Sequence, residues 1–203
     1  MRLIGMMDSP YVRRVAVSLK IMGIAFTHES VSVFRHYEAF EAINPVVKAP
    51  SLVLDDDTVL MDSTLMLEYL DQLAPPERRL TPTALADLAR SQRLIGLALA
   101  ACEKSVQIIY ENFRPADKRH QPWLDRVRGQ LLKAYGLLER ECASAKGWLF
   151  GARPLQADIT VAVAWTFTQH ELADMVATAD YPMLSAFCQR AEALPEMLSS
   201  PMD

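Results

Sequence analysis

Val47-Lys48-Ala49-Pro50-Ser51-Leu52-Val53-Leu54, then Asp55-Asp56-Asp57, then Val59-Leu60-Met61 and Asp62-Ser63, is the stretch that decides how this chain folds. Two short apolar runs flank an acidic tip, which is the pattern of a β-hairpin. Ala49-Pro50 leads into its first strand, and Asp62-Ser63 opens a helix after its second. Met66, Tyr69, Leu70 and Leu73 recur at i, i+3, i+4 and i+7, so that helix has one face to bury. Its N-terminus offers unpaired N–H groups and a positive dipole end beside the Ser63 hydroxyl, a setting suited to a carboxylate. An X-Pro step before a strand leaves the preceding backbone polar groups available to an extended ligand. Singly, Ala-Pro is an ordinary turn dipeptide and Asp-Ser an ordinary N-cap. In this order they suit a peptide-like acid lying along Ala49 and ending at Ser63.

Upstream, Arg2 to Met7 reads as a short buried strand. Asp8-Ser9-Pro10 then turns into a helix with Val12, Val15, Ala16 and Leu19 on one face and Gly23 as its C-terminal cap. Arg13 and Arg14 are expected on the exposed side of that helix. A second strand is expected over Ala25 to Val33, followed by an aromatic-rich helix or loop over Phe34 to Phe40 that Asn44-Pro45 breaks. The order is β-α-β-α-β-β-α. Helical crossovers favour parallel pairing early, and the tight acidic turn forces an antiparallel pair at the end. That is the layout of a thioredoxin-like domain, here residues 1–74.

Residues 75–82, from Pro75-Pro76 to Pro82, form a proline-rich linker, and the period changes beyond it. Leu85, Leu88, Gln92, Ile95, Leu99, Cys102, Val106, Ile109 and Phe113 alternate spacings of three and four, predicting one helix of roughly 30 residues. Leu124, Val127, Leu131, Ala134 and Leu138 predict a second long helix, started by Gln121-Pro122-Trp123. Ile159 to Trp165 is rich in β-branched residues yet lies between helical segments, and is read as a buried helix. Tyr181-Pro182 opens a last amphipathic helix through Leu194. The fold class is α/β plus all-α, with residues 83–203 an all-helical C-terminal domain.

Composition narrows the functions available. The chain has 203 residues, 51% hydrophobic and 23% charged, with a net charge of −4 and no basic run of the kind that binds nucleic acid. No apolar stretch approaches the ~20 residues of a membrane helix, and the N-terminus lacks the layout of a signal peptide. Cys102, Cys142 and Cys188 lie on apolar helical faces, as small buried hydrophobes in a reducing compartment do. A cytoplasmic protein is expected. His28, His36, His120 and His170 are scattered without metal-ligand spacing, so no metal is expected.

Lys48-Ala49-Pro50 with Asp62-Ser63 resembles the glutathione site of the glutathione transferase superfamily, and the likeness runs through the linker into the helical half. The serine-type zeta, theta and beta-like classes are the nearest in pattern. In glutaredoxin-like relatives, the position of Ser9-Pro10-Tyr11-Val12 carries a Cys-Pro-Tyr-Cys motif. Ser9 and Val12 replace both thiols, which excludes dithiol exchange on this motif. A hydroxyl at a helix N-terminus remains, and such a place favours a thiolate. The resemblance therefore implies that Ser9 hydrogen-bonds the glutathione thiolate, with Tyr11 as the next catalytic candidate. It implies that Ala49, beside Pro50, pairs with the cysteinyl backbone and that Lys48 reaches the glycine carboxylate. Asp62 and Ser63 would take the γ-glutamyl amine and carboxylate. Tyr11, Phe34, Tyr110, Phe113 and Arg114 would line the pocket for a small hydrophobic electrophile. The chain departs from the family at Asp62, where many members have Glu, and at Ala157-Asp158, where the family's helix-capping motif usually has Ser or Thr three residues earlier and this chain has Leu155.

The expected function is glutathione transfer, with glutathione as co-substrate and no metal. Disulfide reductase, isomerase and dehalogenase chemistry are alternatives on the same scaffold. A non-enzymatic transferase-like protein that binds a protein such as RNA polymerase is the alternative of a different class. The resemblance further implies a homodimer.

Overall fold

The computed structural model describes residues 1–202, which divide into two units: Met1–Thr81 together with the residues from Ala193 onward, and Pro82–Glu192. In the first unit the elements follow the expected order: β1 (Arg2–Ile4), α1 (Pro10–Met22), β2 (Thr27–Glu29), α2 (Tyr37–Glu41), β3 (Ser51–Val53), β4 (Val59–Met61) and α3 (Ser63–Leu73). The sheet order is β2-β1-β3-β4. β1 pairs parallel with β2, Leu3 opposite His28, and antiparallel with β3, Leu3 opposite Leu52. β3 pairs antiparallel with β4, Leu52 opposite Leu60. This is the thioredoxin-like layout, followed by a helical C-terminal part.

Local boundaries differ from expectation where burial competes with propensity. The second strand covers only Thr27–Glu29, because Val31 and Val33 pack instead against the cluster of Ile4, Phe40 and Val53. The aromatic segment before Asn44 yields the short α2, with Phe40 fully buried and Phe34 68% exposed. α1 ends as expected: Gly23 is left-handed at φ 72°, and the Ile24 N–H reaches back to the Leu19 carbonyl at 2.9 Å.

The expectation of exposed arginines on α1 is overturned. Arg13 and Arg14 are only 3% and 2% exposed. A helix absent from the sequence reading, α8 (Pro195–Leu198), packs on α1, while Arg14 reaches the start of α3. Arg13 Nε donates to the Ser200 carbonyl at 2.8 Å, and Lys20 Nζ donates to the Ser199 carbonyl at 2.5 Å and to its Oγ at 3.0 Å. The helix expected through Leu194 ends at Glu192, and α8 follows it as a further helix. α7 (Pro182–Glu192) stops first, since Leu194 precedes Pro195 and is extended at φ −65°, ψ 141°. The proline-rich segment after α3 is tied down by Asp71, a buried carboxylate that accepts from the Leu80 N–H at 2.7 Å and the Thr81 N–H at 3.2 Å.

The second unit holds α4 (Leu85–Asn112), α5 (Gln121–Ser144), α6 (Gln156–Leu172) and α7. The long helix forms, but its buried face is rotated from the expected stripe. Ile95 and Cys102 are buried as expected, whereas Leu85 is 81% and Phe113 75% exposed. Ser91, Leu94, Ala98, Ala101, Ser105 and Ile108 supply the rest of the buried face. α4 packs on both α5 and α6, and small residues let helix backbones approach closely, so size rather than hydrophobicity selects that face. α6 is buried all round, which explains why its sequence shows no amphipathic period. Its polar Thr168 joins a closed network, bonding the Tyr135 hydroxyl at 2.6 Å and Ser105 Oγ at 2.9 Å, while Tyr135 also donates to the Ala164 carbonyl at 3.0 Å. The missing Ser or Thr at Leu155 is offset by Asp158 itself. Its carboxylate accepts from the Leu155 N–H at 2.9 Å and from the Leu149 N–H at 2.7 Å, joining the helix start to the preceding loop. No helix is long and apolar enough to cross a membrane.

Gly5 gives the fold its tightest joint. It has φ 135°, and a Cβ there would lie 2.6 Å from Val12 Cγ2 and 3.2 Å from Ala49 Cβ. Gly5→Ala is expected to lower the unfolding free energy by about 2 kcal/mol or more, read from the denaturant midpoint. Burial pushes the Cys142 thiol up to about 12 and the Cys188 thiol well above its ordinary value, and Cys102 is 2% exposed. A thiol-reactive dye should therefore leave the native protein unlabelled and label all three cysteines once denaturant is added.

Candidate functional site

The expected site residues of the first unit stand on three segments that meet around α1. Ser9 occupies the N-cap of α1 at φ −71°, ψ 121°, with Pro10 at the first helical position. A serine there ordinarily accepts from a first-turn N–H. Ser9 does not: its side chain makes no cap hydrogen bond. The half-buried hydroxyl is left at the positive end of a helix dipole with both its proton and its lone pairs available. Tyr11, in the first turn, is half-buried as well.

The second segment is Lys48-Ala49-Pro50. The Ala49–Pro50 peptide is cis, Pro50 is buried and Val47 is left-handed at φ 51°. Asn44 organises this loop: its side-chain oxygen accepts from the Val46 N–H at 3.1 Å, and its amide donates to Ser51 Oγ at 2.8 Å. Ser51 in turn donates to the Lys48 carbonyl at 2.9 Å. Ala49 is half-buried against Gly5, and among the described residues its own N–H and C=O enter no hydrogen bond. The Lys48 side chain is exposed.

The third segment opens α3. Asp62 is its N-cap, with Oδ1 accepting from the Thr64 N–H at 2.9 Å. The residue sits at φ 73°, ψ 118°, a region costly for anything with a Cβ. Its second carboxylate oxygen faces no partner among the described residues. Ser63 is 3% exposed, and its hydroxyl accepts from Arg14 Nη1 at 3.1 Å; the same nitrogen donates to Thr64 Oγ1 at 3.2 Å.

Arg14 is the residue that sequence reasoning missed. A count of apolar positions assigns every charged residue to solvent. The signal lay in Val12 to Leu19, where apolar or small residues surround the helix on all sides and leave no polar face for two arginines.

The remaining expected residues separate by unit. Phe34 stands on an exposed loop of the first unit. Tyr110 and Phe113 stack in the second, with ring centroids 6.1 Å apart, and Arg114 pairs with Glu111 at 3.2 Å. Among the described residues no three His, Cys, Asp or Glu side chains are grouped to hold a metal ion.

The chain and its fold have known counterparts. Residues 3–78 match the family described as the glutathione S-transferase N-terminal domain, and residues 121–190 match the corresponding C-terminal domain. A glutathione transferase family member from Pseudomonas fluorescens Pf-5, solved with bound glutathione, is 30% identical with a TM-score of 0.85, the match covering 100% of this chain and 98% of that one. A glutathione S-transferase from Methylobacterium radiotolerans, solved with glutathione sulfonate, has a TM-score of 0.92 at 25% identity, over 100% of this chain and 95% of that one. The Escherichia coli O157:H7 glutathione S-transferase GstA is 26% identical over 189 residues, 89% of this chain and 88% of its own. The chain belongs to the glutathione transferase superfamily.

The left-handed backbone at Asp62 separates two contributions to the start of α3. Asp62→Ala loses the cap and keeps the strain, whereas Asp62→Gly loses the cap and relieves the strain. Thermal melts should rank wild type above Asp62→Gly and Asp62→Gly above Asp62→Ala, with the alanine variant about 1–2 kcal/mol below wild type.

Proposed function

We propose that the protein is a glutathione transferase that binds reduced glutathione across the three segments and activates its thiol for attack on a small apolar electrophile. The observation that carries this reading is the Ser9 hydroxyl, placed at a helix N-terminus and not used as a cap. A free thiol titrates near ~8.5, and each unit by which its pKa falls is worth about 1.4 kcal/mol. A hydrogen bond from Ser9 and the dipole of α1 both favour the thiolate, so at neutral pH they raise the fraction of bound peptide that is nucleophilic.

The rest of the site would hold that sulfur in place. Ala49, with N–H and C=O both open, pairs with the cysteinyl backbone as a short antiparallel rung. Lys48 meets the glycine carboxylate. The second oxygen of Asp62 takes the γ-glutamyl amine, and Ser63 with the first N–H groups of α3 takes the γ-glutamyl carboxylate. Positioning the sulfur in this way removes the orientational cost of a bimolecular attack. Within the first unit, the exposed ring of Phe34 and the half-buried Tyr11 are the surface offered to the electrophile.

Calorimetric titration with reduced glutathione tests the reading. Wild type should bind with a micromolar-to-millimolar Kd, and Asp62→Ala/Ser63→Ala should abolish the heat. Ser9→Ala should bind S-methylglutathione as wild type does, yet show a bound thiol whose ultraviolet thiolate band appears at higher pH. No heat from wild type at about 10 mM glutathione, tenfold above a ~1 mM Kd, would sink the reading.

A further inference from the structure

The α3 end of the site contains a buried cation that the reading above does not use. Arg14 is 2% exposed, and one of its nitrogens donates to two neighbouring hydroxyls, Ser63 Oγ at 3.1 Å and Thr64 Oγ1 at 3.2 Å. A guanidinium only donates hydrogen bonds and never accepts them. Each hydroxyl must therefore spend a lone pair on Arg14, and its single proton has to point elsewhere. Among the described residues neither proton has an acceptor, although Ser63 is 3% exposed. The two hydroxyls occupy the first two positions of α3, where unpaired N–H groups face the same way. Apart from the Asp62 carboxylate, which takes the Thr64 N–H, the outcome is a set of donors backed by a guanidinium held out of water.

We propose that Arg14 is a positioning residue: it orients Ser63 and Thr64 as donors and so makes the start of α3 selective for the γ-glutamyl carboxylate. This inference rests on the glutathione reading above. Without Arg14 a serine hydroxyl rotates freely and serves as donor or acceptor alike, and the carboxylate loses both an aligned donor and the favourable charge behind it. Arg14 contacts the ligand only through the two hydroxyls, so its effect should be confined to that one carboxylate.

The test compares glutathione with 4-aminobutyryl-cysteinylglycine, the analogue that lacks only the γ-glutamyl carboxylate, by calorimetry on wild type, Arg14→Gln and Arg14→Lys. Wild type should prefer glutathione by about tenfold or more. Arg14→Gln should weaken glutathione by about tenfold and leave the analogue unchanged, so that the preference collapses. Arg14→Lys keeps the charge on a single compact donor that reaches one hydroxyl, and its preference should fall between the two. If thermal melting shows that Arg14→Gln does not fold, Arg14→Lys decides alone, with a drop in preference of at least threefold expected. Equal weakening of both ligands would mark Arg14 as merely structural, and an unchanged preference would also overturn the proposal. Wild type that binds neither ligand would overturn the glutathione reading itself, an outcome distinct from the other two.

Discussion

At Gly5 the end of β1, the first turn of α1 and the Ala49–Pro50 segment meet at distances that leave no room for a side chain. A Cβ would overlap Val12, three residues past Ser9, and press on Ala49. His28 adds a clamp from the neighbouring strand, its Nε2 lying 2.7 Å from the Gly5 carbonyl. Two of the three site segments thus owe their approach to one missing carbon. The third is joined to α1 by Arg14, whose bonds to Ser63 and Thr64 cross from one helix to the next. Shape sets the first joint and charge the second.

The hairpin, the helix that follows it and the order of elements in the first unit were legible because they rest on local signals: alternation, an acidic turn, an N-cap and a proline. The cap at Gly23 was legible for the same reason. What escaped was decided at a distance. α8 is four residues long, and its place depends on Arg13 and Lys20 nearly two hundred positions earlier. The buried face of α4 escaped because close packing on two helices rewards serine and alanine over leucine. For Ser9 the sequence located the residue without its state: an N-cap serine and an unused hydroxyl have the same spelling, and only the geometry of the first turn separates them.

Two helix starts of the second unit, those of α6 and α7, rest on carboxylates that reach beyond their own first turn. Asp158 bonds an N–H of its own helix start and one from the preceding loop, so a leucine suffices at position 155. Burial pushes the Asp158 carboxyl above its ordinary range, against the pull of those N–H groups. At α7 the carboxylate comes from α5, where Glu139 accepts from the Met183 and Leu184 N–H groups at 3.0 and 2.7 Å. Such caps tie a helix to its surroundings as well as finishing it, and the one at α7, supplied from α5, leaves little trace in local sequence.

The discontinuity of the first unit bears on how the chain is made. A ribosome releases β1 through α3 early, yet Ser199 and Ser200, which receive Lys20 and Arg13, are added only after all of Pro82–Glu192. At ordinary elongation rates that interval is on the order of ten seconds. Throughout it, α1 carries an arginine and a lysine whose final carbonyl partners do not yet exist, on a flank that water keeps solvated. The unit that bears Ser9 is therefore begun before Pro82–Glu192 is made and completed only after it, its two parts meeting across the whole of the intervening unit.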